Sequence, residues 1–472
     1  MIINLNKRLS TLLIIFSVLH LQAQDKKIEM KTERTSFLKT MDLGSNGIII
    51  KTGEDNLNSK KVNWEVSYYS ADLELIWKVP IEKTQINKGF INPMIVSPNA
   101  SYFYQFEYLG YNTNFGAQKI NATQIDRLGK VKTILWEGDE ADSLIKSDVK
   151  FCNDEYIGFI EQVGKGGNSK KALLEDKIEI ITYSNTDFKR TKYTAELPKI
   201  KDLENSSFWE YIGHGNDIIY FSYTTFLNKE EKVYFYVAAV DNHGKLLNDF
   251  KIDGSLKNAN YRASQPYYTH AYNSADLPST WDVAKYGDVV ADVENGAIYV
   301  YGISGEKPPK SAINKCDGYF IQKYNMQGQN EWKVQRKVSE ENLNESFFKI
   351  HGKELDRKTA LTMRYDGKVE LHIFFQDKLF SYEFDENGEY VGKYNIDGSY
   401  FGTQNGKNVD CGVLNMNINS KEPTKIIAYF VSLDKKSAKN NRYRYYRSGK
   451  GEILIENDPS ADTFSLLYFS NY

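Results

Sequence analysis

Two stretches of this sequence align without a gap: Val240-Asp-Asn-His-Gly-Lys-Leu-Leu-Asn-Asp-Phe-Lys-Ile-Asp-Gly-Ser255 and Phe384-Asp-Glu-Asn-Gly-Glu-Tyr-Val-Gly-Lys-Tyr-Asn-Ile-Asp-Gly-Ser399. Each stretch follows a run of strand-forming residues, Lys232–Val240 or Lys378–Phe384, and each ends in Ile-Asp-Gly-Ser. Asp accepts hydrogen bonds from backbone amides two residues on, and Gly supplies the positive φ that closes a tight turn. The pattern therefore predicts a repeated β-hairpin: strand, Asp-x-x-Gly turn, strand, Asp-Gly exit.

Weaker copies of this hairpin recur along the chain. Two of them keep the Gly, and three keep only the strand–turn–strand outline. With the two strong copies they make seven hairpins between residues 62 and 447. They are mostly separated by about 50 to 60 residues, a spacing typical of repeat folds. The weaker copies begin at Tyr69, Ile125, Tyr183, Tyr324 and Val431.

The repeat resembles the β-propeller architecture in general and no particular family. A propeller needs about four strands per repeat, stacked blade on blade. Val233–Val240 and Ile426–Leu433 are apolar at nearly every position, as in strands buried on both faces. We predict an all-β fold, a single propeller of about seven four-stranded blades over residues 24–472; six or eight blades also fit. Thr463–Phe469 is predicted to complete a blade begun near Met41–Lys51.

The first residues predict export. Lys7 and Arg8 precede an apolar run, Leu9–Leu21, that falls short of the ~20 residues needed to cross a bilayer. A small residue, Ala23, then precedes a polar segment, as signal peptidase requires. We predict a signal peptide over residues 1–23, cleavage after Ala23, a periplasmic or secreted protein, and no membrane span after cleavage. An uncleaved membrane anchor is the alternative.

Composition and charge exclude several classes of protein. The formal net charge of −2 argues against nucleic acid as a partner. Aromatic residues make up 14% of the chain, which suits strands better than helices. The cysteines Cys152, Cys316 and Cys411 are too few and too far apart for a disulfide scaffold. Three buried thiols are expected, with one disulfide as the alternative.

One gap between hairpins is longer than the others, and its excess lies at residues 255–288. The segment is aromatic, polar and interrupted by Pro, so we predict a long loop inserted in the propeller. Its rings suit stacking on a sugar or a peptide; the alternative is that they pack the loop onto the body. The candidate ligand-binding residues are Tyr267, Tyr268, His270, Tyr272 and Trp281.

The sequence carries no metal or cofactor motif, and we expect neither. The histidines do not form the i, i+4 pair of helical zinc sites. Asp241–Gly244 and Asp385–Gly388 resemble calcium loops only faintly, because they lack alternating oxygen ligands followed by a bidentate Glu. Turn chemistry explains both stretches. Beyond residue 23 the histidines are His214, His243, His270, His351 and His372.

Two other motifs suggest a function. Ser70-Ala-Asp72-Leu-Glu-Leu-Ile-Trp77 resembles the Asp-box of sialidase-type propellers, Ser-x-Asp-x-Gly-x-x-Trp, with Glu74 in place of the Gly. That resemblance implies a blade hairpin and no catalytic role, and the chain is poor in the Arg that a sialidase needs. Lys435–Lys450 is basic and interleaved with aromatic residues, which suits phosphates and bases. In an exported chain of balanced charge, we interpret it as a solvated hairpin edge.

Three classes of function remain, and the catalytic residues are unknown in each. The leading hypothesis is a non-catalytic propeller that binds a protein or glycan ligand through its face loops. The second is a secreted or periplasmic glycan-active hydrolase whose acid–base residues converge from separate blades. The third is an outer-membrane β-barrel, suggested by the alternation of Phe464, Leu466 and Tyr468. Against the barrel, Val233–Val240 does not alternate apolar with polar residues.

Overall fold

The fold is taken from a computed structural model of the chain. Its described residues are almost all in strands, with a short 3-10 helix at Gly44–Asn46. The structure describes residues 26–31, 37–53, 61–84, 94–97, 99–109, 119–137, 149–164, 174–200, 209–215, 217–227, 232–256, 287–304, 318–337, 359–364, 366–375, 378–397, 400–402, 409–413, 415–420, 426, 429, 442–447, 451–458 and 463–470.

The described part of the chain contains 31 strands. They are β1 (Lys26–Lys31), β2 (Phe37–Asp42), β3 (Ile48–Gly53), β4 (Lys61–Tyr69), β5 (Leu75–Thr84), β6 (Met94–Val96), β7 (Tyr102–Leu109), β8 (Lys119–Asp126), β9 (Val131–Glu137), β10 (Val149–Cys152), β11 (Tyr156–Gly164), β12 (Leu174–Ser184), β13 (Arg190–Glu196), β14 (Glu210–Gly215), β15 (Ile218–Leu227), β16 (Lys232–Asp241), β17 (Leu246–Asp253), β18 (Gly287–Asp292), β19 (Ala297–Ser304), β20 (Gly318–Asn325), β21 (Asn330–Lys337), β22 (Thr359–Met363), β23 (Val369–Phe375), β24 (Lys378–Phe384), β25 (Tyr390–Asp397), β26 (Tyr400–Gly402), β27 (Val409–Val413), β28 (Asn415–Ser420), β29 (Arg442–Arg447), β30 (Gly451–Asp458) and β31 (Thr463–Ser470).

These strands form seven antiparallel sheets that are the blades of a β-propeller, which confirms the predicted fold class and the count of seven. Blades 1 to 5 are meanders of four consecutive strands, in which each strand pairs with the next one along the chain. They are β2–β5, β6–β9, β10–β13, β14–β17 and β18–β21.

Blades 6 and 7 carry additional strands. Blade 6 is β22–β25 with β28 added beyond β25, and blade 7 has the order β1-β31-β30-β29-β27-β26. The N-terminal strand β1 therefore pairs with the C-terminal strand β31, from Lys26 opposite Tyr468 to Lys31 opposite Thr463. The prediction that Thr463–Phe469 completes a blade begun near Met41–Lys51 is wrong. Residues 41 to 51 belong to blade 1, and the strand that pairs with Thr463–Phe469 is the earlier β1.

The Asp-x-x-Gly hairpins form as predicted. Asp241 Oδ1 accepts the amides of His243 at 2.9 Å and Lys245 at 2.8 Å. The amide of Gly244, at φ +82°, bonds back to the Asp241 carbonyl at 3.0 Å. These bonds explain the Asp and the Gly by turn chemistry. The same side-chain bonds to the amides two and four residues on occur at Ser70, Asp126, Asn325 and Asp385.

The Gly of three hairpins also faces a neighbouring blade. A Cβ at Gly244 would lie 2.9 Å from the carbonyl oxygen of Thr194 in blade 3, so a larger residue there would push two blades apart. The positive φ and the close approach together require Gly. The three contacts join Trp77 with Gly129, Thr194 with Gly244 and Phe250 with Gly328.

The apolar core is divided among the interfaces between blades. Strand β16 is buried on both faces, as its uninterrupted apolar run predicted. Phe235, Val237 and Ala239 pack with residues of blade 5, whereas Ala238 and Val240 pack with residues of blade 3. Blade 4 thus hides both of its faces by stacking on its two neighbours, which a single blade could not do alone.

The chain divides into two compact units. One comprises Met1–Thr52, Tyr68–Leu75 and Ala360–Tyr472, and its described residues include blades 6 and 7. The other comprises Gly53–Ser67 and Ile76–Thr359 and includes blades 2 to 5. In the first unit, Ile48 and Ile50 pack on Tyr446, Ile453 and other residues of blade 7.

Several predictions concern residues that the structure places differently or does not describe. The predicted strand Ile426–Leu433 is wrong, since its two described residues, Ile426 and Tyr429, are helical. The stretch Val409–Ile418, which the sequence predicts as one strand, forms two strands, β27 and β28, in different blades. The signal peptide and the Val431 hairpin lie outside the described residues. In the part of the chain that is described, no helix has the length and apolarity to span a membrane.

Candidate functional site: a buried ionic network in blades 6 and 7

The residues predicted to bind a ligand lie outside the described part of the chain. Residues 257–286 carry all five of them, and the structure describes only the two ends of the predicted loop at 255–288. The aromatic platform therefore stays a prediction. The residues concerned are Tyr267, Tyr268, His270, Tyr272 and Trp281.

The start of this segment is firmly held. The Gly254 amide and the Ser255 hydroxyl both bond Val233 at the beginning of β16, the amide to its carbonyl at 3.0 Å. Blade 5 holds the same turn from the other side: Gln322 Nε2 donates to the Gly254 carbonyl at 3.2 Å, and Tyr324 OH donates to the Asp253 carbonyl at 3.0 Å. The chain thus leaves β17 from a stem fixed to two blades.

The most concentrated chemistry in the described residues is a buried ion pair between blades 6 and 7. Arg447, the last residue of β29, donates from Nη2 to Glu370 Oε1 and from Nε to Glu370 Oε2, the latter at 2.9 Å. Both side chains are 0% exposed. This two-point contact matches the planar guanidinium to the planar carboxylate, the strongest geometry of an Arg–carboxylate pair.

Further charged groups extend the pair toward the surface. Arg364 Nη1 contacts Glu370 at 3.2 Å and Glu383 at 3.1 Å. Glu370 and Glu383 are directly opposite on β23 and β24, where two like charges would repel. Arg364 lies against both carboxylates and offsets part of that repulsion. The other side of the Arg364 guanidinium binds Asp366, a more exposed residue in the hairpin turn.

Two tyrosines and a third glutamate complete the network. Tyr394 OH donates to Glu370 Oε2 at 3.2 Å, and Tyr445 OH donates to Glu452 Oε1 at 3.0 Å. Arg447 Nη1 lies 3.5 Å from Glu452 Oε1. Burial, together with the neighbouring carboxylates, raises the pKa of both tyrosines, so they remain neutral donors.

The three buried carboxyl groups, Glu370, Glu383 and Glu452, differ in the direction of their pKa shifts. Burial alone would raise the pKa of Glu370, but Arg447 and then Arg364 outweigh it and hold that pKa below its usual value. Burial raises the pKa of Glu452, and burial with the nearby Glu370 raises that of Glu383. Glu370 is therefore the fixed negative centre, and the other two are the carboxyls that take up protons first.

His372 lies beside this centre in an uncharged hydrogen-bond ladder. Its Nδ1 is 2.6 Å from Ser381 Oγ and its Nε2 is 2.8 Å from Thr362 Oγ1, so the ring joins three adjacent strands. Burial lowers the pKa of His372 to about 4, against the opposing pull of Glu370. The ring is thus neutral at pH 7, with one nitrogen as donor and the other as acceptor.

The His372–Ser381 contact has the length of a base–nucleophile pair but not its surroundings. A nucleophile needs an exposed oxygen at which a substrate can bind. Ser381 is 0% exposed and His372 is 1% exposed. The second ring nitrogen bonds Thr362, and the carboxylate near it, Glu370, is 3.7 Å away, beyond the hydrogen-bond distance of a catalytic ladder. This arrangement can stabilise three strands, and it offers no surface for a substrate.

One other reactive group is buried as well. The Cys152 thiol is free and contacts the Asn153 carbonyl at 3.3 Å. Burial, with a smaller contribution from Asp154, raises its pKa, which keeps it a thiol and a weak nucleophile. Cys316 and the side chain of Cys411 lie outside the described residues. Across the described chain, no group of three or more His, Cys, Asp or Glu residues is arranged to hold a metal ion.

The network corrects the interpretation of Lys435–Lys450 as a solvated hairpin edge. The described residues of that stretch form β29, an interior strand of blade 7. Tyr445 and Arg447 are 0% exposed. In the sequence, the alternation of Arg and Tyr could have indicated an interior strand, because it places long side chains on both faces of one strand. The sequence could not show that Glu370 lies opposite.

The Asp-box-like motif at Ser70 and the residue His243 both lie in blade hairpins, as the sequence predicts. Ser70 Oγ accepts the amides of Asp72 and Glu74 at 3.1 Å each, and Leu73 takes the left-handed position at φ 59°. His243 lies exposed in its turn, with its ring 5.0 Å from that of Tyr193. Both are structural elements of blade hairpins.

The fold defines the class of protein as a seven-bladed β-propeller. No protein-family model and no curated protein matches the chain. It is similar to the acylaminoacyl peptidase of Pyrococcus horikoshii at 13% identity and TM-score 0.38, over 89% of this chain and 57% of the peptidase. It is also similar to the WD40 domain of SCAP from fission yeast at 6% identity and TM-score 0.36, over 95% and 92% of the two chains.

An uncharacterized protein of Listeria monocytogenes is similar at 9% identity and TM-score 0.36, over 84% of this chain and 97% of that one. The chain spans little more than half of the peptidase's length. With TM-scores and identities this low, the likeness carries no argument about function. The assignment to the propeller class rests on the strand pairing within the chain itself.

Proposed function

We propose that the chain is an exported, non-catalytic propeller that binds a protein or glycan ligand through loops on a face of the blades. The observation that carries this proposal is the burial of the reactive groups in the described residues. Ser381, His372 and Cys152 are enclosed, and the Arg447–Glu370 pair is satisfied from within. Groups of this kind stabilise a scaffold, and binding is then left to the connecting segments.

The stem at Asp253–Ser255 supports the same proposal. Bonds from blades 4 and 5 fix the point at which the chain leaves β17 toward residues 257–286. A fixed stem lowers the entropy cost of presenting a binding segment. Tyr268 and Trp281 are the residues we expect to contact the ligand.

The test is a thermal-shift screen of the exported chain against glycans and peptides, with Tyr268→Ala, Trp281→Ala and Tyr236→Ala compared. A ligand that raises Tm in proportion to its concentration, and does so less in the first two variants only, supports the proposal. Tyr236 is a half-buried ring on a blade strand and serves as the matched control. Glycan turnover by the wild-type chain would overturn the proposal in favour of the hydrolase.

Export is tested separately by expressing the full gene product in a bacterial host. We expect a periplasmic or secreted product whose N terminus is Gln24. A product that keeps residues 1–23 and sediments with membranes would contradict this part of the proposal.

A further inference from the structure

The outer edge of blade 2 differs from the other open edges of the propeller. Within the described residues, β5, β9, β13, β17 and β21 each end their sheet with no strand beyond them. The unpaired amides and carbonyls of such an edge can pair with another chain. Natural proteins usually protect these edges with charged residues or Pro.

Four of the five edges carry such protection. The exposed positions of β13, β17 and β21 are charged or polar except Leu247, and β5, which exposes Leu75 and Ile76, has Pro80 further along. On β9, the face that carries Val131, Thr133 and Leu135 has a charge only at the end of the strand, at Glu137. The exposed positions are Arg190, Lys192, Thr194 and Glu196 in β13, Leu247, Asn248, Asp249, Lys251 and Asp253 in β17, Asn330, Glu331, Lys333, Gln335 and Lys337 in β21, and Val131, Lys132, Thr133, Leu135 and Glu137 in β9.

The apolar residues of this edge are well exposed on a firmly packed strand. Val131 is 44%, Leu135 51% and Leu128, in the preceding turn, 88% exposed. The opposite face of β9 is anchored, because Ile134 and Trp136 pack in the core cluster shared with blade 3. Solvent thus meets aliphatic side chains on a strand that is already ordered.

The molecule itself shows how such an edge is occupied. Strand β28 adds to β25, the fourth strand of blade 6, and β1 pairs with β31 at the end of the six-stranded blade 7, both antiparallel. Blade 6 of this propeller therefore accepts a fifth strand at the position that remains open on β9. Pairing of this kind with a segment of another protein is a known mode of peptide recognition.

The charges around β9 indicate the composition of the incoming segment. Arg127 and Lys130 are exposed in the turn just before the strand. Lys132 is turned toward blade 3, where its Nζ donates to the Thr186 carbonyl at 3.2 Å and lies over the Phe188 ring. At the other end of the strand, Glu137 is paired with Lys119 at 2.5 Å. An antiparallel partner strand would place its C-terminal end beside Arg127 and Lys130, so acidic residues there would complement these two cations.

We propose that the outer edge of β9 is a docking site for an extended segment of a partner protein. The segment adds as a fifth antiparallel strand, sets aliphatic side chains beside Val131 and Leu135, and carries acidic residues at its C-terminal end. This site uses residues other than those of the proposed function, and it requires a protein partner and excludes a glycan.

The test uses the full chain and a fluorescein-labelled peptide of alternating Val and Thr that ends in Asp-Glu. We expect saturable binding by fluorescence anisotropy and slower hydrogen exchange of the amides in β9. Val131→Lys with Leu135→Lys gives β9 the charge of its neighbours and should weaken binding at least about tenfold. Leu247→Lys, at an exposed Leu on β17, is the matched control and should bind as the wild type does.

Three outcomes would overturn the proposal. They are no binding up to about 1 mM peptide, equal binding to the double-lysine variant, and equal binding of a peptide whose central Val is Pro. A dimer of the chain that the double-lysine substitution abolishes would also overturn it, since the edge would then belong to a second copy. Should the double variant fail to fold, Leu135→Lys alone makes the same test.

Discussion

The interface between blades 6 and 7 and the interface between blades 4 and 5 bury similar sheet faces with different chemistry. Blades 4 and 5 meet through Val237, Val300, Phe320 and similar apolar side chains. Blades 6 and 7 share an apolar cluster too, and beside it they are joined by the buried network around Arg447 and Glu370. Apolar contacts add up in small increments and do not respond to pH, whereas a buried ion pair is lost as a unit.

The largest expected effect comes from breaking the ion pair on one side. Arg447→Met leaves Glu370 buried with Arg364 as its remaining cation, and we expect the free energy of unfolding to fall by about 3 to 5 kcal/mol. Urea unfolding followed by circular dichroism measures it.

The matched control is Arg447→Met combined with Glu370→Leu, which removes both charges. We expect this double variant to regain most of the loss, because neither buried charge is left without a partner. A double variant as unstable as the single one would show that packing of the Arg447 side chain, and not charge, holds the two blades together.

A fall in pH should destabilise the region of blades 6 and 7 but not the apolar interface of blades 4 and 5. The loss of unfolding free energy should be slightly smaller than that caused by Arg447→Met. The pKa of His372 is about 4 in the folded chain, against a usual value of 6.5. Between these values the unfolded chain binds the proton more readily, so this group's contribution to stability is lost as pH falls from 6.5 toward 4. The full contribution is about 3 kcal/mol. Glu383 and Glu452 act in the opposite direction, since their raised pKa values remove stability as pH rises above 4.5.

Comparison of the wild type with His372→Gln isolates the histidine from those carboxyls. The variant should lose more stability at pH 7 than at pH 4, with a difference of about 3 kcal/mol between the two values. Urea unfolding at the two pH values measures this difference. The same destabilisation at both pH values would mean that His372 keeps its proton affinity on folding.

A third prediction concerns the turn that touches the next blade. Gly244→Ala should cost about 2 to 3 kcal/mol, because a positive φ and a methyl 2.9 Å from the Thr194 carbonyl are both unfavourable. Gly296→Ala is the control: its φ is +64° and its Cβ would meet nothing within 4 Å. It should cost only about 1 kcal/mol. Equal losses in thermal unfolding would mean that the approach of blade 3 is not tight.

The smallest effect is expected in the apolar interface. Ile298 is 0% exposed in the cluster between blades 4 and 5. Ile298→Val removes one methyl group and should cost about 1 kcal/mol. The loss should be the same at pH 4 and pH 7, in contrast to that of His372→Gln. A pH-dependent loss would show that the two interfaces are coupled.

The hairpins could be predicted from sequence because their chemistry is local. Asp241 bonds the amides two and four residues on, and Gly244 supplies the positive φ within the same turn. The burial of β16 on both faces could also be predicted, because an uninterrupted run of apolar residues is typical of such strands. The number of blades followed from counting such hairpins.

The network and the completion of the last blade could not be predicted, because their partners are far apart in sequence. Arg447 is separated from Glu370 by 77 positions. A single Arg reads as a surface residue unless its partner is known, since Arg is almost never buried unpaired. The pairing of β1 with β31 is more distant still, and no local pattern marks it.

That pairing sets an order of events for the folding chain. Strand β1 leaves the ribosome long before its partner β31, so Lys31 and Thr463 meet only when the whole stretch between them has been synthesised. Contacts of such wide sequence separation slow folding, because a very long loop must close before they form. Blade 7 is therefore the last to be finished, and a chain truncated before Thr463 leaves β1 without its strand partner.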